Sequence, residues 1–207
     1  MPTFRLGSKD VIFQTDTNQP IIANNVLFPA GHIVQVLQSV KTDADETRSG
    51  VTASGFVDIT GTDQNGSGSV FCVKITPKFS TSKILVLTSI NLGGSAASGG
   101  NFSYLKLFRD STGLFIGDSA GSRVLGSAMT FDHISNEGTL DMISFQFLDS
   151  PTIPSTPVEI IYKVKYAVGL GNDNSGYASI NASRRDLAVG HADLRGASSI
   201  TVMEISQ

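Results

Sequence analysis

The stretch that decides the fold is Ile75–Asn91, ITPKFSTSKILVLTSIN. Pro77 has no backbone N–H to give to a sheet ladder, so it ends the strand containing Val70–Ile75. Ser80, Thr81 and Ser82 favour a turn, because their hydroxyls bond to nearby backbone. After Lys83, the run Ile84-Leu85-Val86-Leu87 is apolar at every position. A half-exposed strand alternates instead. A strand apolar on both sides of its pleat needs cover on both, from a second layer of the chain or from another subunit.

Working outward, further strands read at His32–Val40, Phe56–Thr60, Ser69–Thr76, Ser103–Arg109, Leu114–Ile116, Met142–Leu148, Val158–Val168, Ala178–Ser183 and Ser198–Ile205. Val158–Val168 alternates most cleanly. Val158, Ile160, Tyr162, Val164, Tyr166 and Val168 share one face, and Glu159, Lys163 and Lys165 take the other, interrupted by Ile161. Asn65-Gly66 is a hairpin signal, and Asp110–Gly113 (DSTG) is a turn. The polar residues Lys41–Gly55 and the run Gly93–Gly100 (GGSAASGG) read as loops. No segment shows a sustained helical period. The expected fold is all-β, an antiparallel sandwich or jelly roll over residues 32–207.

Residues 1–31 differ from the rest. Val11, Ile12, Phe13, Ile21 and Ile22 form short apolar clusters broken by polar residues, Pro20 and Pro29. Two readings fit: an extended arm that packs on another protein, with those five residues as its anchor, or a strand tucked on the chain's own sheet.

Composition narrows the function classes. Only 16% of the 207 residues are charged, while Gly numbers 21, a turn-rich β composition. The net charge is -3 with no dense Lys/Arg run, which argues against nucleic-acid binding. One cysteine, Cys72, allows no intramolecular disulfide. Met1–Arg5 has no signal-peptide layout, and no apolar run reaches membrane-spanning length.

The motifs with chemical potential are weak. Gly117-Asp118-Ser119-Ala120-Gly121 matches G-x-S-x-G, with His32, His133 or His191 as the only histidine bases. A hydrolase elbow needs a helix after the serine, and Ser122–Ser127 starts a helix poorly. Ser80–Lys83 matches S-x-x-K, but the β run after it carries Lys83 away from Ser80. Asp43, Asp45 and Glu46, and separately Asn172–Asn174, hold oxygen ligands without an EF-hand layout. No catalytic, metal or cofactor site is expected. Phe102, Tyr104 and Tyr177 border Gly/Ser/Asn-rich loops, where aromatics stack on sugars or anchor partners, or simply cap a core.

Five segments together carry a family resemblance: Ile75–Val86, Leu107–Thr112 (LFRDST), Phe147–Pro151 (FLDSP), Tyr162–Val164 (YKV) and Ala197–Ile205 (ASSITVMEI). In this order and spacing, over about residues 30–207, the chain resembles tail-fibre and related virion proteins of bacteriophages, especially marine phages and cyanophages. The resemblance implies a non-enzymatic, jelly-roll-like module that trimerises and projects from the virion, anchored to other virion proteins by residues 1–31. Some such modules contact host surface glycan or protein. The chain is short for a fibre, so capsid decoration, cement and neck-adaptor roles stay open, and a hydrolase using Ser119 is the alternative from another class.

Overall fold

The computed structural model describes residues 3–14, 20–22, 28–49, 55–95, 101–132, 139–156, 158–169, 177–183 and 193–207. Near the start, β1 (Thr3–Leu6), β2 (Lys9–Gln14) and β3 (Pro20–Ile22) form an antiparallel meander of their own. Then follow β4 (Ile33–Lys41), β5 (Asp45–Ser49), β6 (Val57–Asp58), β7 (Cys72–Ile75), β8 (Lys83–Ser95), β9 (Asn101–Arg109) and β10 (Thr112–Leu114). The chain closes with β11 (Ala128–Asp132), β12 (Leu140–Asp149), β13 (Ile160–Gly169), β14 (Tyr177–Ile180) and β15 (Ser198–Ile205).

The fold is an all-β, antiparallel sandwich. In the first sheet β8 is central. It pairs with β12 along one edge, and along the other with β15 and then β14. β4 flanks β15, and β5 flanks β14. In the second sheet β9 and β13 pair along their length, with β10 and β11 outside β9 and with β6 and β7 outside β13. Most neighbours are distant in sequence, as in a jelly roll.

The two sheets share one core. β13 contributes Ile160, Tyr162, Val164, Tyr166 and Val168, the face that alternation predicts. Val158 lies before the strand and is exposed, so the run is one alternation shorter than expected. β8 contributes Ile84, Val86, Ile90 and Leu92. Leu85 and Leu87 point to the outer side and are half-buried.

Three expectations need correction. Lys41–Gly55 is not all loop, because Asp45–Ser49 forms β5 against β14. Its polar sequence hides a strand held by backbone bonding. The strand at Leu114–Ile116 lies earlier, at Thr112–Leu114. Residues 3–22 are not one extended arm, since they double back twice as β1–β3. Residues 28–31 are tied to the C-terminal segment. Ser206 donates from its hydroxyl to the Phe28 carbonyl, Gly31 N–H donates to the Ser206 carbonyl, and Phe28 meets Phe79 edge-on.

Two buried polar networks brace the sandwich, and between them they gather all five resemblance segments. The first holds the corner before β8. Glu204 of β15 is fully buried, and it accepts from Lys78 N–H (2.7 Å), Phe79 N–H (3.2 Å) and the Ser82 hydroxyl (2.7 Å). Its second oxygen accepts from Gln35 Nε2 (2.6 Å), which also donates to the Thr76 carbonyl. The turn after Pro77 is therefore shaped around one carboxylate. In the second network, Arg109 Nη1 sits 2.8 Å from both oxygens of buried Asp149, and the Tyr162 hydroxyl donates to the same group at 2.7 Å. Arg109 and Tyr162 belong to the second sheet and Asp149 to the first, so this cluster links the layers. Burial, and then the bond to Asp149, raise the Tyr162 pKa far above its usual value, which keeps the hydroxyl a donor.

A third polar device shapes the loop between β6 and β7. Asp63 accepts from the N–H groups of Asn65 (2.9 Å) and Ser67 (3.0 Å) and pairs with Lys74 Nζ at 3.0 Å. Gln64 mimics a strand neighbour: its amide donates to the Lys74 carbonyl and accepts from the Lys74 N–H. The Ser67 N–H, then Lys74 and then the Asn65 N–H hold the Asp63 carboxyl below the usual carboxylate range. A depressed carboxylate stabilises the fold fully above its unfolded pKa of about 3.9, and that stabilisation is lost as pH falls through the lower folded value. Hydrogen exchange should show the Asn65 and Ser67 amides still protected at the ordinary carboxylate pKa and losing protection only as pH falls through the depressed Asp63 value. Unchanged protection well below that value would contradict this account of the turn.

Candidate functional site

The sandwich presents two outer faces of opposite character. On the first sheet, strand register aligns side chains in rows across β12, β8, β15 and β4. One row is Leu148, Leu85, Met203 and Val36. The next is Gln146, Leu87, Thr201 and Gln38, where Gln38 Nε2 donates to the Thr201 hydroxyl at 2.8 Å. The third is Ser144, Ser89, Ser199 and Val40. These three rows contain no charged residue. Val36 and Val40 are about half exposed, as are Leu148 at 47% and, outside the rows, Ile33 at 48%. No described strand packs on this side. Edge strands such as β4 and β12 usually carry charge that blocks pairing with other chains, and here their outward positions carry none.

On the second sheet, β9 turns Phe102, Tyr104, Lys106 and Phe108 outward in alternation. At one end Phe102 packs on Phe131 of β11 with centroids 4.9 Å apart, and Met129 lies opposite Tyr104. A side chain at Gly169 would collide with the Tyr104 ring at 2.7 Å, so glycine lets that ring lie on β13. Burial raises the Tyr104 pKa. In the middle, Lys106 stands directly opposite Lys165. Lys106 Nζ lies 5.3 Å from the Phe56 centroid and 5.6 Å from that of Phe108, while Lys165 Nζ lies 5.1 Å from Phe108. Asp58 accepts Lys163 at 2.9 Å and Lys165 at 3.4 Å. Two ammonium groups thus share one carboxylate, and a third, Lys106, stands beside them against aromatic rings. Beside Lys163 opens a cleft of about 210 Å³, lined by Ser67, Gly68, Ser69, Val70, Cys72, Lys74 and Ile161. Cys72 is buried, and desolvation pushes its thiol pKa up.

The residues singled out from sequence scatter. Phe102 and Tyr104 come together on the second sheet's outer face. Tyr177 does not join them, because it opens β14 in the first sheet. Val11 is half-buried and Ile12 exposed in β2, where Ile12 pairs with Ile22 and Phe13 with Ile21 along the backbone. The side chains of Phe13, Ile21 and Ile22 lie outside the described residues.

Ser119 is exposed in the loop between β10 and β11. No helix follows it, and among the described residues it makes no hydrogen bond to a base. That loop covers part of the core edge instead, since Phe115 packs near Phe145 and Phe147. His32 stacks on Phe28 at 4.7 Å, while His133, His191 and Asn172–Asn174 lie outside the described residues. Asp43 pairs with Lys41 at 2.7 Å, a bond that lowers its pKa, and Asp45 accepts the Thr60 N–H. Among the described residues no three His, Cys, Asp or Glu side chains gather to hold a metal.

The lysine pair escaped the sequence reading, because Lys106 and Lys165 become neighbours only through the β9–β13 register. No protein-family model matches the chain, and no curated protein matches its sequence.

Proposed function

We propose that the chain is a non-enzymatic structural subunit of a bacteriophage virion, a fibre or knob module that assembles as a homotrimer through the outer face of its first sheet. The observation that carries the assembly is that face: four strands wide and free of charge in its three central rows. Water-facing sheet surfaces normally alternate toward polar and charged residues. A large uncharged patch with apolar rows is what an interface between copies presents. It also supplies the second cover that Leu85 and Leu87 call for on sequence grounds. The virion address and the number three are supported by the five-segment resemblance. A cyclic trimer with this face turned toward its axis takes the patch out of water.

Val36→Lys with Leu148→Lys tests the assembly, because both side chains are about half exposed in the single chain and tolerate the change within one subunit. The expected product is a folded monomer, seen as a loss of mass in light scattering with the circular dichroism of a β-sandwich retained. An unchanged oligomer would remove this face as the interface. Antibody labelling of purified particles tests the address. Label on the tail supports the fibre reading, label on the neck or head surface replaces it with an adaptor or decoration role, and unlabelled particles remove the virion assignment.

A further inference from the structure

We propose that the outer face of the second sheet binds an acidic polysaccharide, with uronate or sulfate groups seated on Lys106, Lys163 and Lys165. The inference rests on the reading of the protein as a surface-contacting module and names the ligand for it.

Like charges directly opposite on a sheet destabilise it, yet Lys106 and Lys165 face each other across β9 and β13. Among the described residues one carboxylate, Asp58, answers Lys163 and Lys165, and Lys106 has only aromatic rings against its ammonium. The site therefore holds excess positive charge on a rigid frame, and an anion completes it. Lys106 passes over Gly113, whose lack of a side chain leaves room for the lysine's Cε. Around this charge lie surfaces suited to a sugar. The Phe102–Tyr104–Phe131 cluster on the same face offers ring faces to the C–H side of a pyranose. The cleft beside Lys163 adds the serine-rich segment Ser67–Ser69 next to a cationic donor. A nucleic acid fits less well. Phosphate-backbone binding commonly recruits about 6–10 cations, whereas this cluster has three lysines in a chain of net charge -3.

The test is calorimetric titration of the whole protein with an alginate hexamer, with neutral maltohexaose, and with a single-stranded oligothymidylate, at low and at raised salt. Alginate is expected to bind and to weaken as salt rises, and maltohexaose to bind far more weakly. Lys106→Gln, which leaves the Asp58 pairs intact, should lower alginate affinity severalfold, and Lys106→Gln with Lys165→Gln about tenfold or more. The proposal is overturned if alginate does not bind, if maltohexaose binds equally, or if the double variant binds like the parent. Tighter binding of oligothymidylate would overturn it in favour of a nucleic-acid surface. Mass measured on the same samples separates the two readings: an oligomer that ignores alginate removes only this proposal, and a monomer that binds it removes only the assembly.

Discussion

Glu204→Ala is expected to lower the unfolding free energy by about 3–5 kcal/mol, the largest effect expected of any single polar substitution among the described residues. The carboxylate sits at full burial and satisfies two backbone N–H groups, one hydroxyl and one amide. Truncation leaves these donors without an acceptor in a place water does not reach, and each orphan costs about 1–3 kcal/mol before relaxation. For a chain of this size the melting midpoint should fall by roughly 10–15 °C. Glu204→Gln should cost less, about 1–2 kcal/mol, because one oxygen still serves Lys78 and Ser82. Its amide would meet the Gln35 amide donor to donor, and Gln35 cannot turn over without losing its bond to the Thr76 carbonyl. Thermal unfolding at matched protein concentration reads both variants, the concentration being held because any assembly of copies shifts the midpoint. Equal midpoints for parent and Glu204→Ala would show that the corner is not built around this residue.

Asp149→Ala is the second large effect, expected at about 3 kcal/mol. Arg109 is only 25% exposed and would lose its ionic partner, while the fully buried Tyr162 hydroxyl would lose its acceptor. Tyr162→Phe should cost less, about 1–2 kcal/mol, because it leaves the Arg109–Asp149 pair intact. A double-mutant cycle between Arg109→Met and Tyr162→Phe separates network from pairs. Both residues act through Asp149, so the double variant should lose less than the sum of the singles. Strict additivity would mean that the three groups do not act as a unit.

These two networks also show what sequence can and cannot reveal here. The β class and the core face of β13 are legible, because alternation of Ile160, Tyr162, Val164, Tyr166 and Val168 is a local property. Glu204 falls in the same alternation as Ile200 and Val202, on the core side. Why a carboxylate is tolerated there is not legible locally, since its donors Lys78 and Ser82 lie 126 and 122 residues away in the chain. β5 was missed for a related reason: DETRS has no strand composition and is held by backbone pairing to β14. Phe102 and Tyr104 were found from their type and their place beside a loop, but the cationic cluster next to them exists only once β9 and β13 are in register. The five resemblance segments turn out to be fold-bracing segments, bearing Glu204, Ser82, Arg109, Asp149 and Tyr162. The functional proposal takes its virion address and its threefold number from that resemblance, and its interface and ligand surface from the two outer faces.

The central claim is that the uncharged face of the first sheet is covered by further copies of the chain. The measurement that meets it most directly is the mass of the unmodified protein in solution, by sedimentation equilibrium at micromolar concentration. The account predicts a single species at three times the 21.8 kDa chain mass. A stable monomer of 21.8 kDa across that range would contradict it.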